Sequence, residues 1–125
     1  MANECIPFYE PGRRITCHAT AAVTGCRFVG ISGNRQADGS ISVAHATAAG
    51  KAFGVSAYDA ALGEKVGVLR GSGFIVPVLA AANLTAGQRV EVGANGQAVV
   101  LAAGISAGTV VTGATSGNLA QIALD

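Results

Sequence analysis

Three short apolar runs set the pattern of this chain: Phe53-Gly-Val55-Ser-Ala57, Lys65-Val66-Gly-Val68-Leu69 and Phe74-Ile75-Val76-Pro-Val78. β-Branched residues in runs this short, bounded by Gly and Asp, favour strands over helices, because their stiff side chains suit a half-buried pleated surface. Between the second and third runs lies Arg70-Gly71-Ser72-Gly73, short enough to reverse the chain as a hairpin, since glycine supplies the positive φ that tight loops need. The stretch predicts a three-stranded, core-forming meander without a reactive group.

The same punctuation runs through the rest of the chain. Residues 13–19 alternate, with Ile15, Cys17 and Ala19 on one face and Arg14, Thr16 and His18 on the other. Residues 26–31 and 41–45 read as strands, separated by a polar loop ending in Asp38-Gly39. Residues 46–51 read as a loop. Downstream, residues 89–92 and 97–101 flank Asn95-Gly96, a pair that favours the type I′ turn matching strand twist. Residues 109–112 and 120–124 close the chain. The sum is about nine or ten short strands at spacings of roughly 8–12 residues, an all-β single domain built as a sandwich or barrel.

Residues 1–12 differ. Pro7 and Pro11 each remove an amide donor and push the preceding residue toward extended geometry, so neither a helix nor a central strand fits. Yet Cys5, Ile6, Phe8 and Tyr9 are too apolar for a solvated tail. The expectation is an extended N-terminal arm over 1–12, docked on its own domain or on a neighbour, ahead of a β domain over 13–125.

Composition sharpens the picture. The 125 residues are 50% hydrophobic but only 5% aromatic, with 18 Gly and no Trp, so the core is one of small side chains. Charged residues make up 12%, about half the roughly 25% of an ordinary soluble domain. So little surface charge suits a protein whose surface is covered by a partner or by copies of itself. The net charge is +1 and the eight Lys and Arg are dispersed among acids, unlike the concentrated basic face of a nucleic-acid binder. Neither a signal peptide nor a run long enough to span a bilayer is visible. Three Cys, an odd number without close pairing, point to synthesis in a reducing cytosol.

Candidate chemistry is sparse. Cys17 and His18 are adjacent, but in a strand they point to opposite faces and cannot readily share a metal. No nucleophile elbow surrounds Ser72, and Gly50-Lys51 lacks the glycine that a phosphate-binding loop places upstream. The acids are too scattered for a carboxylate pair. The expectation is no enzyme, no metal and no cofactor.

Four stretches carry a resemblance over nearly the whole chain. They are ECIPFYEPGRRITCHATAAVTGCRFVGISG, the Phe53-Gly-Val55…Asp59-Ala-Ala-Leu-Gly63…Val66-Gly-Val68 unit, Leu84-Thr85-Ala-Gly87-Gln-Arg-Val90-Glu-Val92-Gly93-Ala-Asn95-Gly96, and Ile105-Ser-Ala-Gly108-Thr-Val…Ser116-Gly117…Ala120-Gln-Ile122-Ala-Leu. In their order they resemble the small β-rich capsid decoration (cement) proteins of tailed bacteriophages. The resemblance implies many copies on the outside of an icosahedral head, often as homotrimers, bridging major capsid protein subunits against internal pressure. It brings no catalytic residues. On that reading the clamp lies in residues 5–14, with Ile6, Phe8 and Tyr9 as apolar anchors and Arg13 and Arg14 paired with acidic capsid groups. The alternative is a receptor- or glycan-binding module on the virion, for which the aromatics, Tyr9 and Tyr58 without Trp, are poor stacking platforms.

Overall fold

The computed structural model describes residues 4–6, 8 and 12–125. Ten strands run along it: β1 (Arg14–Ala19), β2 (Phe28–Ile31), β3 (Ile41–His45), β4 (Gly54–Ser56), β5 (Lys65–Leu69), β6 (Ile75–Leu79), β7 (Arg89–Val92), β8 (Ala98–Val100), β9 (Gly108–Thr112) and β10 (Leu119–Leu124). A single 3-10 turn, Ala94–Gly96, is the only helical element among the described residues. The all-β, single-domain expectation therefore holds.

The first five strands close into a barrel in the order β1-β3-β2-β4-β5. Within it only β1 and β3 run parallel. The last five form a sheet in the order β6-β10-β9-β7-β8, antiparallel throughout. A parallel bridge between Ala80 and Ala98 draws the two outer strands of that sheet together.

Each half has its own core. Alternation in β1 sends Ile15, Cys17 and Ala19 inward, where they meet Val29, Val43, Val66 and Val68. The second core gathers Val76, Val78, Val90, Val92, Val110 and Ile122 from the C-terminal sheet. It also takes Phe28 and Val55 from the barrel wall. Neighbouring Phe28 and Val29 point to opposite faces of β2, so each core receives one of them and Phe28 ties the barrel to the sheet.

Two local expectations need correction. The 70–74 segment is not a hairpin: β5 belongs to the barrel and β6 to the sheet, so the segment is a crossover between them. Gly71 and Gly73 do turn the chain, at φ 121° and 79°, but turn chemistry sets local direction and not the partner a strand finds. Strand β2 begins at Phe28, not at Cys26, because Cys26 sits in left-handed backbone at φ 59° and is outside the ladder. The Asn95-Gly96 turn forms as expected, with φ 55° and 72° and the Gln97 amide donating to the Ala94 carbonyl at 3.1 Å.

The two halves repeat one topology. Replacing β1–β5 by β6–β10 in chain order converts the barrel's strand order into the sheet's. Register agrees as well: Ile15 pairs with Val68 as Val76 pairs with Ile122, and Ile31 pairs with Val43 as Val92 pairs with Ala98. The parallel pair Ala19–Val43 answers to the bridge Ala80–Ala98, and the bridge Val23–Ala60 to Leu84–Ala114. Even the turns match. Gly63 and Gly117, at φ 87° and 90°, donate their amides to Ala19 and Ala80 respectively, each at 2.8 Å.

Candidate functional site

The crossover between the halves, together with the start of β1, builds a basic surface with aromatic supports. The Arg70 amide donates to the Arg13 carbonyl at 2.8 Å, and its Nη1 donates to the Gly12 carbonyl at 3.4 Å. The Arg70 guanidinium lies 4.6 Å from the centre of the Phe53 ring, and that of Arg13 lies 5.8 Å from the centre of Phe74. An aromatic face attracts the cation and orients its planar fork, which suits it to two-point contact with a carboxylate.

Beside these pairs the surface is hollowed. A cleft of about 330 Å³ is lined by Ile31, Lys51, Ala52, Phe53 and Arg70. It adjoins a hollow of about 410 Å³ under Gly30 and Thr47 and another of about 200 Å³ running toward Gly71 and Asp125. Lys51 borders all three.

The expected contact residues fall in different places. Ile6 and Phe8 are 72% and 84% exposed, and the Arg35 guanidinium sits 5.3 Å from the Phe8 ring centre. Tyr9 lies outside the described residues. Arg13 joins the Arg70 surface, whereas Arg14, exposed on β1, has its guanidinium beside Gly67. Sequence reasoning missed Lys51, Phe53 and Arg70 as a group. Its available signal was scarcity: Phe53 and Phe74 are two of only four Phe, and each carries an arginine.

Several groups with reactive potential are bound into structure, while Cys5 is exposed. Cys17 is fully buried, and burial pushes its thiol up to about 11, opposed only in part by the charge of Arg70. His45 accepts the Thr24 amide on Nε2 at 3.0 Å; burial and then the charge of Arg27 hold its pKa below the ordinary value. Asp59 accepts the Gly25 amide at 2.7 Å, tying two loops distant in sequence, and Glu64 accepts the Ala61 amide at 2.7 Å, closing a turn. Asp38 pairs with Lys65 at 2.6 Å, which holds its carboxyl far below the usual carboxylate range. Glu91 is buried on β7 next to Gly104, with Oε2 unpartnered among the described residues. Among those residues, no group of three or more His, Cys, Asp and Glu is placed to hold a metal ion.

The profile of the phage cement protein family matches residues 9–124. No curated protein matches the chain. Among solved structures, the crystal structure of the head fiber gp8.5 N base of bacteriophage phi29 aligns with a TM-score of 0.75. That alignment covers 90% of this chain and 92% of the other, at 23% identity. Likeness at that identity is a likeness of fold, and it extends through both halves. The family match spans nearly the whole chain, and the chain belongs to the phage cement protein family, as a structural component of a bacteriophage virion.

Proposed function

We propose that this protein binds the outer surface of the phage head and bridges subunits of the major capsid protein, stabilising the shell without catalysis. The observation that carries the reading is the pairing of exposed apolar anchors with oriented arginines near the N-terminus. Ile6 and Phe8 stand in solvent, and Arg13 and Arg70 are presented on Phe74 and Phe53 beside an open cleft. Exposed apolar side chains bind by leaving water, and guanidinium groups on rings select carboxylates.

A cement needs no strong single contact. An icosahedral shell repeats the same patch many times, and modest contacts made together hold it. Residues 1–12 act as an extended arm in this reading, with Ile6, Phe8, Tyr9, Arg13 and Arg14 as contact residues and copies grouped as trimers. The test is reconstitution: shells purified without this protein are mixed with the full chain or with a chain lacking residues 1–11, and bound protein is measured by cosedimentation. The full chain binds near stoichiometrically and raises the temperature at which shells break, and the truncated chain stays folded but binds much more weakly. Equal binding by both would remove the arm from the mechanism. Failure of the full chain to bind shells would remove the capsid-binding role.

A further inference from the structure

The tandem topology supplies an internal comparison for every surface position. In the barrel, the outward ladder of β1 and β5 reads Arg14, Thr16 and His18 against Leu69, Gly67 and Lys65. The equivalent ladder of β6 and β10 reads Ile75, Pro77 and Leu79 against Ala123, Gln121 and Leu119. Arg14, His18 and Lys65 are thus replaced by Ile75, Leu79 and Leu119 at the same places in the same topology. The fold tolerates charge there; the second half has aliphatics instead.

Two of those three aliphatics are well exposed, and Leu79 is half-buried. Ile75 is 53% exposed, Leu119 is 54% exposed, and Val111 on neighbouring β9 is 44% exposed. Neither β6 nor β10 contains an ionisable residue. A sheet face without charge and mostly apolar, with Gln121 its one polar position in this ladder, is unfavourable in water unless something covers it.

We propose that this β6–β10 face is a second docking surface and that an uncharged apolar patch of the capsid shell protein covers it. The inference rests on the capsid-binding reading above and adds a place and a chemistry to it. Size argues against a second copy in solution, because a stable dimer buries roughly 800 Å² and about 20–30 residues per side, far more than this ladder offers. A shell needs less, since it repeats the contact over its lattice. Pro77 argues against an added strand: it sits on an outer strand of the sheet and has no amide to donate there. The absence of charge argues against an acidic partner at this face.

The comparison also supplies the variants. Ile75→Arg with Leu119→Lys installs the residues that the barrel already has at those places; Ile75→Thr with Leu119→Gln is a milder pair. Each is mixed with shells purified without the protein, at low and high salt, and each is sedimented alone. The swapped protein keeps its melting temperature, loses at least tenfold in shell affinity, and its residual binding becomes more sensitive to salt. Wild-type affinity in the swapped protein would overturn the proposal and leave the capsid-binding reading standing. Self-association of the wild type without shells, abolished by the swap, would overturn it too, in favour of a second copy. If the charged pair does not fold, the milder pair decides by the same criteria. A wild type that binds no shells overturns the capsid-binding reading and this surface with it.

Discussion

Gly54 and Gly108 are one position of the fold seen twice. Each pairs with a core valine, Val29 or Val90, and each would place a Cβ against the carbonyl of an equivalent residue on the next strand. The separations are 2.6 Å from the Leu69 oxygen and 2.5 Å from the Ala123 oxygen. The nearest side chains, Val68 and Ile122, are also equivalent, at 2.6 and 2.7 Å. At this point the two halves meet the same packing limit.

Alanine at either glycine therefore forces backbone apart. Overpacking of this kind costs about 1–3 kcal/mol, so Gly54→Ala and Gly108→Ala each lower the melting temperature by roughly 4–10 °C. The two sites lie in different halves, and their effects add in the double variant. Differential scanning calorimetry checks this; an unchanged melting temperature for either variant would refute the steric account.

Among the described residues, Phe28 is the largest fully buried side chain, and it leaves the barrel wall to enter the sheet's core. Truncation to alanine costs about 3–5 kcal/mol. Because Phe28 joins the halves, Phe28→Ala is expected to broaden or split the unfolding transition. Loss of a small fraction of that stability with a sharp single transition would show that the halves hold together without it.

His45 makes the fold sensitive to mild acid. Its pKa is lowered in the folded chain, so the unfolded chain takes up the proton first. The stability present above the ordinary histidine value of 6.5 is lost as pH falls through that value toward the folded one. His45→Gln, whose side-chain oxygen can still accept the Thr24 amide, flattens this dependence. Melting curves between pH 7 and pH 5 on both proteins test it; parallel declines would place the acid sensitivity elsewhere.

The three thiols separate by burial. Cys5 is exposed, Cys17 is buried with its thiol pushed up to about 11, and Cys26 is intermediate. Iodoacetamide at pH 8 labels Cys5 first and leaves Cys17 unmodified until denaturant is added. Mass spectrometry reads the order, and early modification of Cys17 would contradict its place in the barrel core.

Much of the fold was legible because short-range chemistry dictated it. The alternation of Ile15, Cys17 and Ala19 gave the buried face of β1, and Asn95-Gly96 gave its turn. Strand partners were less legible. The parallel β1–β3 pair and the crossover at Gly71–Gly73 depend on contacts distant in sequence, which local propensity does not encode. The repeat was obscured for a related reason. Small residues that the topology demands match, as in Ala19 and Ala80, Ala60 and Ala114, and Gly63 and Gly117; the surface ladders differ in side-chain character. The basic cleft escaped the sequence because Lys51, Phe53 and Arg70 are brought together by the fold. Tyr9, expected as an anchor, lies outside the described residues, and Ile6 and Phe8 are exposed.

The crossover that joins the halves bears on how such a protein can change. In a symmetric pair of identical chains, every substitution appears on both partners, so a face that becomes sticky does so twice and invites uncontrolled assembly. Two related units in one chain escape that coupling. One ladder can keep Arg14 and Lys65 and stay soluble while the other acquires Ile75 and Leu119. On the capsid-binding reading, selection can thus refit one side to a new shell while the other preserves folding and solubility.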